Sequence, residues 1–410
     1  MMAMFRRGLF YSYLTIYLRH YLGLSVTETT LFATLPMSMN ILAQTFVWGS
    51  ISDRFQLRRT LIILGEILAA VGTVGIWFLH RLPQSNIWSG YAIIAGLTIV
   101  EIFWSMSNIA WSALVTDMYG AAERSRIQGR LSSMGGIGRM LGVWIGGLLY
   151  DGMGLYYPGW GFHQGWLFFL SAGVMIISVI PLRYLPEGGA CLTPAAPVPG
   201  TIPEHEVNTS VKVYLIFLVA LVFINFGRNS VAIIFPQYLS LKNGLAIDSR
   251  TLSYIINSQS LAIIIFGWGA GWIGRNLGNA VSLLSATAAA IAALLILAFS
   301  QAVPLLYLSS FLRGIGDVVV LACAYGYASV LIPPEMRARR FAWFNATFFL
   351  SWGLAGTLIA GPVVDALINF GKTEDLAYRT SFVVAAAITF VGLLIMSALT
   401  WHQRRRGLPI

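Results

Sequence analysis

The sequence predicts an all-α integral membrane protein, with twelve transmembrane helices arranged as two pseudo-symmetric six-helix bundles. Three observations carry that expectation. Apolar residues make up 57% of the 410 and charged residues only 10%, where a soluble domain holds about a quarter charged residues. So much apolar surface belongs in lipid rather than in a core. Segments of about 20 mostly apolar residues, the length that crosses a bilayer, recur twelve times along the chain. Finally, the second half echoes the first. Phe226–Leu245 repeats Phe5–Leu24 at an offset of 221, with Arg228 on Arg7, Tyr238-Leu239 on Tyr17-Leu18 and Gly244-Leu245 on Gly23-Leu24. The register runs on to Thr251-Leu252 over Thr30-Leu31. One fixed offset over that many positions marks an internal duplication.

The expected spans of the first bundle cover residues 3–22, 29–52, 59–80, 87–117, 127–150 and 164–183, and those of the second 211–240, 250–273, 280–300, 303–332, 339–366 and 377–401. Tyr184–Ser210 differs in kind: its Pro, Gly and acidic residues argue against a helix and make a cytoplasmic linker. The domains are therefore residues 1–183, the linker 184–210, and residues 211–410. With both termini and the linker placed in the cytoplasm, fifteen Lys and Arg residues fall on that side and six on the other, which satisfies the positive-inside rule. Arg228 then lies about 16 residues into its span and Arg7 about six into its own. That imbalance predicts either a first span that is short on its cytoplasmic side or, the favoured expectation, a further piece of chain upstream of Met1.

Several classes are excluded. The net charge of +10 would suggest nucleic acid in a soluble protein, but here the basic loops account for it. Cys191 and Cys323 make neither a disulfide framework nor a metal site. The start of the chain, Met1–Leu22, lacks a small-residue cleavage site for a signal peptidase. No Walker-type phosphate loop occurs, and no nucleophile–base or His/Cys constellation suggests an enzyme, a cofactor or a metal.

After the second span comes Gly49-Ser50-Ile51-Ser52-Asp53-Arg54-Phe55-Gln56-Leu57-Arg58-Arg59. It resembles the G-x-x-x-D-R-x-G-R-R loop of the major facilitator superfamily, departing where Gln56 replaces the second glycine and Leu57 the next arginine. Gly271–Gly278 is a degenerate second copy, with Arg275 in the aspartate position. The stretches around Asp117 and Arg124, and around Pro333 and Arg337, resemble two further junctions of that family. The resemblance covers essentially the whole chain. It implies a secondary transporter whose two halves rock about a midplane site, with Gly49, Asp53, Arg54, Arg58 and Arg59 as a cytoplasmic gate. Arg58 and Arg59 serve equally well as simple topology signals.

Charges inside the membrane are costly, about 2.5 to 3.5 kcal/mol each on insertion scales, and so mark function. Arg7 and Arg228 come first, as a symmetry-related pair facing a polar cavity midway through the lipid. The pattern Arg228-x7-Pro236-x-Tyr238-Leu239 is similar to the seventh helix of organophosphate:phosphate antiporters, in which paired arginines on helices 1 and 7 clamp phosphate. Two guanidinium forks suit a phosphate or carboxylate, and Asn225 shares the face of Arg228. The other reading is that each arginine is neutralised by a neighbouring acid or snorkels, which is the expectation for Arg6, nearest the cytoplasmic surface. Glu101, Ser105, Asn108 and Ser112 make one polar stripe on the fourth span; Glu101 is either a proton carrier or a static partner of Arg7 or Arg139. Arg313 and Asp317, four residues apart, either neutralise each other or form a switch. Asn257 sits on a second polar stripe with Ser253 and Ser260, and Glu66 is expected to be structural. Gly138-x3-Gly142-x3-Gly146 is a close-packing face. The Gly-Pro pair that many antiporters carry at this place is absent.

These residues predict a transporter of a small, anionic solute, coupled to a proton or a counter-anion, embedded as a monomer in the inner membrane. Two alternatives remain: a proton-driven exporter of amphipathic compounds, and a non-transporting membrane scaffold or sensor.

Overall fold

The computed structural model describes residues 1–118, 121–188, 211–332 and 337–405, with the backbone alone at Asp53, 116–117, 121–130, 132, 270, 275, 337–339 and 341–342. Most of the linker, residues 119–120 and 333–336, and the side chains at Arg124 and Arg337 lie outside what is described, as does the side chain of Asp53. The described chain forms two compact units, Met1–Gly200 and Thr201–Ile410.

The first unit runs α1 (Met2–Ile16), α2 (Val26–Ala43), α3 (Gly49–Phe55), α4 (Arg58–His80), α5 (Asn86–Met118), α6 (Ala121–Tyr150), α7 (Trp160–His163) and α8 (Trp166–Leu182). A wide five-residue helical turn, Tyr17–Tyr21, extends α1, and another, Gln44–Trp48, joins α2 to α3. The second unit runs α9 (Val211–Ser230), α10 (Ile234–Leu239), α11 (Ser249–Leu277), α12 (Asn279–Phe299), α13 (Val303–Leu331), α14 (Arg337–Ala355), α15 (Gly361–Asn369) and α16 (Glu374–Arg405). Nine helical stretches among the described residues are long and apolar enough to cross a membrane. α1 and α8, at 15 and 17 residues, are shorter.

Local chemistry sets the ends. Ser25 and Glu28 form a capping box that starts α2, and Asp248 accepts from the Thr251 N–H to start α11, each satisfying backbone donors that a helix start leaves open. Pro236 has no N–H to give to the carbonyl of Ala232, and the chain breaks between α9 and α10 at residues 231–233. Arg228 thus sits in the last turn before a discontinuity.

The duplication seen in the sequence reappears as packing. In the first unit α1 lies along α6 and α8, α4 along α5 and α8, and α2 along α5. In the second α9 lies along α14 and α16, α12 along α13 and α16, and α11 along α13. Taken in order of spans, these are the same five neighbour pairs. α4 shows how a membrane helix is sorted. Leu61, Ile62, Gly65, Ala69, Ala70, Thr73 and Ile76 face its neighbours, while Leu64, Leu68, Val71 and Phe78 face outward. Both faces are apolar, as expected of a helix surrounded by protein on one side and lipid on the other.

The glycine face on α6 meets α1 directly. A Cβ at Gly138, Gly142 or Gly146 would run into the backbone oxygen of Met1, Phe5 or Leu9 respectively. Gly8 makes the reciprocal approach, to the backbone of Arg139. Without glycine the two backbones could not come this close.

Candidate functional site

The second unit builds its site from four helices. Arg228, at the end of α9, places Nη1 at 2.5 Å from Oδ1 of Asp317 on α13. Its Nε donates to Oδ1 of Asn225 at 3.1 Å. The other carboxylate oxygen of Asp317 accepts from Nε2 of Gln259 on α11 at 2.6 Å. Asn225 in turn donates to Thr347 on α14 at 3.3 Å, and Asn229, one turn on, donates to Ser351 at 2.9 Å. The arginine is mostly enclosed, with 8% of its side chain exposed, whereas the aspartate keeps 33% open.

The first unit carries a related arrangement on the equivalent helices. Glu101 on α5 accepts from Nδ2 of Asn40 on α2 at 2.6 Å, and Gln44 donates to Asn40 at 2.7 Å. Arg7 and Arg6 on α1 lie near enough for their charges to act on Glu101. Both guanidinium carbons stand 4.3 Å from the centroid of the Trp104 ring, one turn along α5. Each unit therefore holds a carboxylate of its fourth span by an amide of its second, and in the second unit that carboxylate also pairs with an arginine of the first span.

Two expectations are corrected. Arg313 and Asp317 do not form the predicted pair: Asp317 turns to Arg228 and Gln259, and Arg313 stacks on the Phe235 ring at 4.4 Å. Nor does Arg6 snorkel: it is 5% exposed and lies under Trp104.

Other candidates are dispersed. Along the α5 stripe Glu101 and Ser105 are buried, Asn108 is half-buried and Ser112 is exposed. The Ser105 and Ser112 hydroxyls donate to their own helix backbone. Asn257 on α11 and Arg139 on α6 are half-buried. Glu66 accepts from Ser107 across the α4–α5 contact at 2.9 Å. The amides Asn40 and Gln259 went unremarked in the sequence, since one polar residue in an apolar span carries no visible partner.

At the gate loop Gly49 begins α3, and Arg54 is exposed over Phe55. Arg58 turns back on the end of α3, donating to the Ser52 carbonyl and, at 2.5 Å, to its hydroxyl. Arg59 contacts the start of the linker. Its Nε lies 3.0 Å from Glu187, and its Nη1 donates to the Leu185 carbonyl at 2.9 Å. Glu187 also accepts from the Thr60 N–H at 2.9 Å, capping the first turn of α4. Gln56, in the place of the second glycine, has φ 55° and ψ 21°. That left-handed conformation costs a residue with a Cβ about 1–2 kcal/mol and costs glycine nothing. Gln56→Gly is expected to stabilise the protein by roughly 0.5–1 kcal/mol, read as a higher melting temperature of the purified protein in detergent.

A duplicated bundle of apolar helices, with charges buried at matched places in both halves, defines a membrane transporter of small solutes. The chain belongs to the Major Facilitator Superfamily, whose family model matches residues 1–356 and 217–408. Among curated proteins it is similar to the multidrug resistance protein MdtG of Escherichia coli K12, 26% identical over 88% of this chain and 81% of that one. To the protein of the same name in Yersinia enterocolitica it is 24% identical, over 85% and 77%. Solved structures show the same fold. The nucleoside transporter NupG superposes with a TM-score of 0.73 at 13% identity, covering 97% of both chains. A D-xylose–proton symporter superposes with 0.68 at 14%, covering 96% and 95%.

Proposed function

We propose that this transporter is secondary active, carrying a small organic or inorganic anion by alternating access and coupling it to proton movement. It has twelve crossings, cytoplasmic termini and a cytoplasmic linker at 184–210. It acts as a monomer and returns its substrate chemically unchanged. One observation carries the anion reading. The first unit sets Arg6 and Arg7 against Glu101, and the second sets Arg228 against Asp317. After one internal neutralisation the Arg6, Arg7 and Glu101 cluster of the first unit keeps a surplus positive charge, and a bilayer tolerates such a charge only where something balances it. Asp317 supports the coupling reading: its carboxylate is part open and holds the Arg228 fork, so a proton on Asp317 frees the arginine for an anion.

The test is transport in liposomes containing the purified protein, with labelled phosphate and labelled carboxylates, with and without an imposed pH gradient. Gradient-dependent accumulation of an anion, lost in Asp317→Asn, is the expected result. A second reading, proton-driven export of amphipathic compounds, is favoured by the name of the MdtG relatives. Transport of cationic dyes, unaffected by phosphate or carboxylates, would establish it in place of the anion reading.

A further inference from the structure

We propose that Arg6 is the anchoring residue for the substrate's anionic head group, through the side edge of its guanidinium. This deepens the anion reading and rests on it. Arg6 is 5% exposed, and its Nε and Nη2 are buried without a hydrogen-bond partner. These two nitrogens share one edge of the guanidinium plane and point two parallel N–H bonds the same way. That edge fits two oxygens of one carboxylate or phosphate group. Buried donors are nearly always satisfied, and charged ones left unsatisfied are the costliest of all. A protein that buries this edge and leaves it bare has kept it for something else to fill.

The surroundings fit a ligand better than a structural role. Arg6 lies against the face of Trp104, 4.3 Å from the ring centroid, which fixes the guanidinium plane without using its edges. Arg7 stands at the same distance from that ring and adds a second positive charge. Glu101, near enough for its charge to act on both arginines, accepts from Asn40. Tyr11, one turn further along α1, and Arg139 on α6 complete the titratable and charged groups acting on this cluster. The edge is shut off from solvent in this conformation, so an anion reaches it only through the opening movement that any alternating-access carrier makes. A neutral amide of the same shape accepts only one of the two N–H bonds and turns its own NH2 against the other, and would therefore be rejected.

Equilibrium binding to the purified protein in lipid nanodiscs tests this. The probe is labelled benzoate, with unlabelled benzamide, its neutral counterpart, and inorganic phosphate as competitors. The expected result is saturable benzoate binding that benzamide does not displace. It should be lost in Arg6→Gln and weakened at least tenfold in Arg6→Lys, which keeps the charge, and with it the folded protein, but has no fork. Displacement by phosphate assigns the edge to phosphate-bearing solutes; no displacement assigns it to carboxylates. Binding that survives Arg6→Gln, equal displacement by benzamide, or no binding of either anion overturns the proposal. Binding needs no pH gradient, so a failure of proton coupling leaves this result intact. Coupled anion uptake that persists in Arg6→Lys with unchanged affinity overturns the role of Arg6 alone.

Discussion

Arg228→Ala is expected to abolish transport and to destabilise the second unit. The substitution leaves the Asp317 carboxylate with only Gln259 as a partner and strips Asn225 of the donor on its carbonyl oxygen. Removing one member of a buried ion pair costs roughly 3–5 kcal/mol, less here because Asp317 keeps a third of its surface open. Arg228→Ala combined with Asp317→Ala should recover most of the lost stability, since no charge is then stranded. Transport should stay absent in both, because the fork is gone. Thermal unfolding in detergent measures the first effect and liposome uptake the second. Wild-type transport by Arg228→Ala would instead overturn the role of this arginine in substrate binding.

The second large effect belongs to the α1–α6 contact. Gly142→Val is expected to prevent the first unit from packing. A Cβ there strikes the Phe5 carbonyl and the Leu9 amide nitrogen, backbone atoms that no rotamer change can move aside. Overpacking of a well-packed interior costs about 1–3 kcal/mol when side chains yield and more when they cannot. The separation would also carry Arg6 and Arg7 away from Trp104, so transport falls with stability. Gly173→Val on α8 is the control, because a Cβ at Gly173 meets nothing within 4 Å. Monodispersity on size-exclusion chromatography should collapse for the first and be unchanged for the second.

Most of the architecture was readable along the chain, because the forces that set it are one-dimensional. Lipid demands long apolar segments, and duplication leaves a fixed offset. Arg7 and Arg228 are legible for the same reason: in an apolar run a lone arginine cannot be hidden. The glycine spacing on α6 likewise announced a close approach, though not that its partner was α1. The partners of the charges were not legible. Helical spacing placed Arg313 beside Asp317, and the structure gave Asp317 to Arg228, 89 positions away in the chain. Distance from Met1 placed Arg6 at the surface, and packing against α5 buried it.

The sequence by itself therefore determined the membrane class, the doubled plan and the presence of costly charges, since each follows from the content and order of short segments. Only the tertiary structure decided which acid meets which arginine and which amide holds each acid. It alone showed which guanidinium edge stays bare. Those outcomes depend on how helices far apart in the chain are rotated against one another, and no local periodicity encodes that rotation.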